Sequence, residues 1–321
     1  MHIMNKYDSQ YRNIQIAVIM YLQSLYDGTV DHVLAGLSIS SLSDKELFSF
    51  KDYPKSSQQA DKIIDGMSAT LLTYINTQIS SVWSLSNSKN DSLVDSLFAR
   101  IKKEPKISFK SHNEKELDVF LNRKVKDLTI SDRVWNLNGS FKSEIESAVS
   151  AAIEKGQSAK QLARDIKKYL RDPDSRIRRI RDKFGNLKVS TKDLKFNHGS
   201  GVYRSAYQNA LRLARTEINQ AYRLADWERW QQLPFVIGYK IITSQRVSTV
   251  CPVCRDLAGI YPKSFKFIGW HPQCMCHCIP IMCSDSDMDK IIDGQDIKIS
   301  QPQMPSQYNN HIDNLNRKNQ S

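Results

Sequence analysis

All six cysteines of this 321-residue chain lie between Cys251 and Cys283, in CPVCRDLAGIYPKSFKFIGWHPQCMCHCIPIMC, and none occurs in the 250 residues before them. Thiols this dense are cross-linked, buried as small apolar groups, or gathered around a metal ion. Cys251 and Cys254 form a C-x2-C pair, and His271 and Cys274 an H-x2-C pair, with 16 residues between the two. Zinc takes four nitrogen or sulfur ligands in a tetrahedron, and two short turns offering two ligands each meet that need. Thiolate and imidazole also suit zinc better than magnesium or calcium. The spacing therefore predicts a structural zinc ion on Cys251, Cys254, His271 and Cys274. Cys276 and Cys278 continue the series at two-residue steps; on a strand these would share a face with Cys274, so Cys276 is an alternative fourth ligand. The intervening RDLAGIYPKSFKFIGW offers Gly259 and Gly269 for turns and an extended piece, SFKFI, expected to close a small β-ribbon.

The redox setting decides between metal and disulfide. The opening MHIMNKYDSQ lacks the charge-then-apolar order of a secretory signal. No window approaches the roughly 18 uninterrupted apolar residues of a membrane span, since the richest run, IQIAVIMYL, contains Gln15. A chain made in cytoplasm, with no membrane partner, keeps its thiols reduced.

The rest of the chain reads as mainly helical, so the expected class is α+β: a helical N-terminal region, a helical hairpin, a long helix and a small zinc-stapled β-layer. Residues 1–139 carry apolar stripes at helical spacing: Ile14, Val18, Leu22 and Leu25, then Ile64, Met67, Leu71, Ile75, Ile79 and Val82. A third candidate runs from Asn113 to Leu128, while SLSNSKND and KKEPKISFKSHN read as connections. Residues 140–283 form the second region. SFKSEIESAVSAAIEKG is an amphipathic helix stopped at Gly156. SAKQLARDIKKYL follows, with Ser158 and Gln161 in capping-box spacing. The longest helical pattern runs from Val202 to Leu233, halted by Pro234, and FVIGYKIITS then reads as a buried strand. Residues 284–321, poor in aromatics and rich in Asp, Asn, Gln and Ser, are expected to be a flexible polar tail.

The net charge of +12 is concentrated. Arg171 to Arg215 holds twelve Lys or Arg against four Asp, a net +8. Within it, RIRRIRDKFGNLKVSTKDLKF predicts a basic β-hairpin around FGN. Arg176, Arg178, Arg179, Arg181, Lys183, Lys188 and Lys192 make it a candidate surface for nucleic acid or another acidic partner.

Catalytic motifs are missing from the sequence. There is no H-E-x-x-H, no G-x-S-x-G and no P-loop. No H-x-E stands close ahead of the C-x2-C, as a zinc deaminase would require; the one at His112–Glu114 lies far upstream. Glu217 and Asp256 are possible acids, and neither has an identifiable catalytic partner.

LARTEINQAYRLADWERW, then a strand, C-x2-C, LAG and HPQCMC together resemble the C-terminal signature of the phage Mu F-like head morphogenesis proteins. The resemblance extends from about EKGQSAKQLARDI to Met282. It carries over to Arg215, Thr216 and Glu217, to Cys251 and Cys254, and to His271, Pro272, Cys274 and Cys276. Met275 departs from the pattern, since relatives commonly have Arg between the last two cysteines. The resemblance implies a non-enzymatic minor head protein of a phage or prophage, made in a bacterial cytoplasm and incorporated in the virion head. Its expected partners are the portal protein, capsid or scaffold components, and DNA. It also implies that Arg215, Thr216, Glu217 and Pro272 are structural, with Arg215 and Glu217 expected as polar anchors of the metal-bearing layer against the long helix. The rival expectation is an enzyme, either a zinc-dependent hydrolase or nuclease or an ADP-ribosyltransferase-like effector, with an open polar pocket at the metal lined by Glu217, Asp256 or His277.

Overall fold

A computed structural model describes residues 2–37, 48–102, 109–154, 158–172, 178–181, 187–190, 205–243 and 251–320. The protein is mainly helical with a small antiparallel sheet near the C-terminus, an α+β chain as expected. Its helices are α1 (His2–Ala35), α2 (Pro54–Ile101), α3 (Glu114–Asn122), α4 (Ile130–Trp135), α5 (Leu137–Glu154), α6 (Ala159–Arg171), α7 (Ala206–Gln232), α8 (Pro252–Asp256), α9 (Asp285–Ile292) and α10 (Ser306–Gln320). The strands are β1 (Arg178–Arg181), β2 (Leu187–Ser190), β3 (Val236–Ile242), β4 (Gly259–Pro262) and β5 (His277–Met282). Among the described residues, no helix is long and apolar enough to cross a membrane.

The chain divides into two compact units, and α1, α2 and α7 each contribute residues to both. One unit comprises Ile14–Asn76 and Asn122–Ala214. Its core follows from helical periodicity: Val18, Leu22, Tyr26 and Val30 repeat every four residues along α1, and Ile64, Met67, Leu71 and Ile75 along α2. From α5 come Phe141, Ile145 and Val149, and from α6 Leu162 and Ile166, all buried. Tyr26 meets Phe141 and Tyr207 edge-on, with ring centroids 4.9 and 5.6 Å away. Ser158 caps α6 by accepting from the Gln161 amide at 3.3 Å. The buried Glu144 carboxylate accepts from the Ala206 amide at 3.0 Å. A negative group there satisfies a donor that the first turn of α7 would otherwise leave bare.

In the same unit β1 and β2 pair antiparallel, with Arg178 opposite Ser190 and Arg181 opposite Leu187. The expected basic hairpin is thus present as strands carrying Arg178, Arg179, Arg181 and Lys188. Arg176, Lys183 and Lys192 lie outside the described residues, as does Gly156.

The other unit comprises Met1–Asn13, Thr77–Leu121 and Arg215–Ser321. Its sheet has the order β4-β3-β5, all antiparallel. The buried strand read from FVIGYKIITS is β3, the centre of that sheet. Phe235, Val236, Tyr239 and Ile241 pack with Val94, Leu97, Phe98, Trp230 and Leu233 into one apolar core. A β-carbon on Gly238 would stand 2.5 Å from the Tyr261 carbonyl oxygen, so β3 and β4 can approach this closely only at glycine.

Four sequence expectations give way here. SLSNSKND is not a connection but lies inside the 48-residue α2. Its Ser86, Asn87, Lys89 and Asn90 are buried because side chains and backbone elsewhere in the unit satisfy them. The candidate helix from Asn113 stops at Asn122, and Val125 and Leu128 form an isolated bridge. The ribbon strand is GIYP rather than SFKFI, since GIYP supplies the backbone partners of Gly238 to Ile241. The expected flexible tail holds α9 and α10; Met288 and Ile292 are buried, and Tyr308 lies edge-on to Phe265 at 5.0 Å. A few apolar side chains at the right spacing suffice to dock a segment whose average composition is polar.

Candidate metal centre

Local structure brings the donors together. Cys251 is the N-cap of α8, Pro252 opens its first turn, and Cys254 sits within that turn. The end of α8 is tied to β4 through the Tyr261 hydroxyl, which donates to the Leu257 carbonyl at 2.8 Å. The second knuckle, His271 to Cys276, makes its turn through Gly269, at φ +127°, and Gln273, at φ +58°. It precedes β5 rather than forming part of it. Cys274 and Cys276 are therefore not strand neighbours of Cys278, contrary to the expectation of one shared strand face.

The donors form two groups that meet at one sulfur. Cys251, Cys254 and His271 have their ligand atoms within 4.8 Å of one another, and so do Cys254, Cys274 and Cys276. Cys254 Sγ is 3.0 Å from His271 Nε2 and 3.9 Å from Cys274 Sγ. Two thiolates on one tetrahedral zinc stand about 3.8 Å apart, given a Zn–S bond of about 2.3 Å. His271 Nδ1 lies 2.8 Å from the Pro272 carbonyl oxygen. A carbonyl can only accept, so Nδ1 carries a hydrogen and Nε2 is the ring nitrogen that faces Cys254. A metal-ligating histidine donates its other ring N–H in the same way. All four predicted ligands and the alternative, Cys276, thus belong to one cluster, and it can hold a metal ion. Cys276 stands in a group with Cys254 and Cys274.

The thiols sit in contrasting electrostatic settings. A hydrogen bond from Cys276 pulls the Cys274 thiol down to about 4, helped by the nearby Arg223 guanidinium. The same hydrogen bond, with burial, raises Cys276. Burial pushes Cys254 up to about 12, with the charge of Cys274 adding to it. All six cysteines carry free thiols. Cys278 and Cys283 are buried, each in the apolar core.

One face of α7 holds the second knuckle in place. Arg215 Nη1 donates to Gln273 Oε1 at 2.9 Å, and the Gln273 amide donates to Thr216 Oγ1 at 3.1 Å. Arg215 Nη2 is 3.4 Å from Met275 Sδ, so the methionine at this position receives an arginine instead of supplying one. One turn on, Asn219 Nδ2 donates to the Cys274 carbonyl at 3.1 Å. Another turn on, the buried Arg223 donates to the carbonyls of Ile268 at 3.0 Å, Cys276 at 2.7 Å, and Cys274. Its guanidinium also lies over the Phe267 ring, 5.3 Å from the centroid.

Arg215 and Thr216 both contact the knuckle through Gln273, and the Pro272 carbonyl faces His271 Nδ1. Glu217 is buried in α7. Asp256 is exposed and paired with Arg255 at 3.5 Å. Asn219 and Arg223 were missed. Their signal was available, since 215, 219 and 223 recur at four-residue steps and lie on one helical face. Comparison with protein-family models, curated proteins and solved structures finds no match to this chain.

Proposed function

We propose that the chain is a minor head protein of the Mu F-like head morphogenesis kind, acting in capsid assembly at a portal vertex, with a structural zinc ion on its Cys/His cluster. The observation that carries the reading is the clamp between the two halves of the signature. The R-T of R-T-E reaches, through Gln273, the knuckle formed by H-P-x-C-x-C. Residues far apart in sequence that carry the resemblance are thereby in contact within this chain.

The donor set supports zinc. Thiolates and one imidazole are the ligands zinc favours, and five protein donors leave no position that requires water. Cys254 and Cys274 would each contribute a sulfur, with the remaining positions filled from Cys251, His271 and Cys276. The ion would supply folding energy, on the order of 10–16 kcal/mol of apparent binding in small zinc domains. Such a staple suits a β-layer of three short strands. Asp256, one of the acids that the rival zinc-enzyme reading names, is exposed and paired with Arg255.

The basic hairpin would contact packaged DNA or an acidic face of the portal protein or of capsid and scaffold components. DNA binding would weaken steeply with salt as counterions are released. The reading is tested by quantifying the chain in purified heads and by pull-down with the portal protein encoded beside it. Recovery in heads at a few copies supports it; repeated absence from heads, with no portal binding at low salt, overturns it.

A further inference from the structure

On the other side of the second knuckle lies a cavity of about 350 Å³, walled by α1, α2, α7, the end of β3 and the start of β5. Its size falls at the lower end of small-molecule sites. Its floor is unusual for a helical core. Lys89 of α2 and Asp226 of α7, each about 4 % exposed, form a buried ion pair there. Burying two charges costs more than well-packed apolar side chains would, so the pair has no stabilising rationale of its own. Tyr11 and Tyr222 stack at 4.3 Å to make one wall, and Lys89 Nζ stands 4.5 Å from the Tyr222 ring centroid. Arg12, Asp8 and His277 complete the lining towards solvent.

The hydrogen-bonding tally around this cavity is lopsided. Asp226 Oδ1 accepts from Ser86 at 2.7 Å and from Asn90 at 2.9 Å, while Oδ2 accepts from Lys89. That carboxylate has little left to offer a ligand. Lys89, by contrast, has three donors, one given to Asp226 and one turned to Tyr222, and Arg12 brings five to the mouth. Arg223 also lines the cavity, but its donors go to the knuckle carbonyls. Among the lining residues three cations face two carboxylates. A donor-rich, net-positive, half-enclosed cavity with an aromatic wall selects an acceptor-rich ligand.

We propose that this cavity binds a small phosphate- or carboxylate-bearing molecule, held by Lys89 at the floor and Arg12 at the mouth. The site is separate from the basic hairpin, and its lining reaches the metal cluster at Cys276. Titration calorimetry on the full-length, metal-loaded chain, with inorganic phosphate and with citrate at constant ionic strength, tests it. One anion per chain should bind saturably with at least one probe. Arg12→Gln should weaken that binding about tenfold or more, as the loss of a charge-assisted hydrogen bond does. Arg178→Gln/Arg179→Gln should leave it within about twofold. In the unaltered chain, the His277 ring resonances should move on adding the anion, which keeps the test open if a variant misfolds. Binding that disappears with the hairpin variant and survives Arg12→Gln overturns the proposal. So does the absence of saturable heat and of any His277 movement with either probe up to about 10 mM.

Discussion

Gly269 and Arg223 are fitted to each other. A β-carbon on Gly269 would stand 2.7 Å from Arg223 Nη1, and the glycine itself adopts φ +127°. Only a residue without a side chain both takes that backbone conformation and lets the guanidinium reach three carbonyls of the knuckle. The metal cluster is therefore shaped as much by an arginine and a glycine as by its own sulfurs.

Gly269→Ala should destabilise the C-terminal unit by about 1–3 kcal/mol, from backbone strain and the displaced arginine. Thermal unfolding of the purified chain reads this directly. A melting curve unchanged from the parent would contradict the fit described above.

Arg223→Met should leave carbonyls of Ile268, Cys274 and Cys276 without their donor, at about 1–3 kcal/mol for each buried acceptor left bare. Arg223→Lys should not restore stability, because an ammonium lacks the planar fork that spans these acceptors. Chemical denaturation of the three proteins side by side gives the ranking.

Cys254 is common to both donor groups, whereas Cys251 and Cys276 each belong to one. Cys254→Ser should abolish tight metal binding, while Cys251→Ser and Cys276→Ser should each retain part of it. Zinc content by elemental analysis after dialysis against a weak chelator separates the three. Equal losses would mean that Cys254 holds no special place.

Lys89→Met alone should cost about 3–5 kcal/mol, since it strands the Asp226 carboxylate in the core. The double variant Lys89→Met/Asp226→Asn should be distinctly less unstable than the sum of its single changes. A double-mutant cycle by urea unfolding measures that coupling.

Tyr308 of α10 packs against Phe265 and lies 6.0 Å from the Tyr261 ring centroid. Tyr308→Ala should cost about 1–2 kcal/mol through lost aromatic contact and should accelerate proteolysis after Gly294. Identical cleavage rates in parent and variant would mean that α10 is not held by this contact.

What the sequence by itself determined was whatever depends on short-range periodicity and ligand chemistry. The stripes of Val18 and Leu22 and of Leu71 and Ile75 marked α1 and α2 because helical repetition puts such residues on one face whatever packs against it. The cysteine spacing marked the metal cluster because thiolates and imidazole have a narrow choice of partners. Tertiary structure alone decided where polar residues are tolerated. SLSNSKND looks like a loop until Asp226 and Trp230 supply partners for Ser86, Lys89 and Asn90. The C-terminal segment looks flexible until Met288, Ile292 and Tyr308 find the core. In each case the deciding energy comes from contacts between residues distant in the chain, which local composition does not contain.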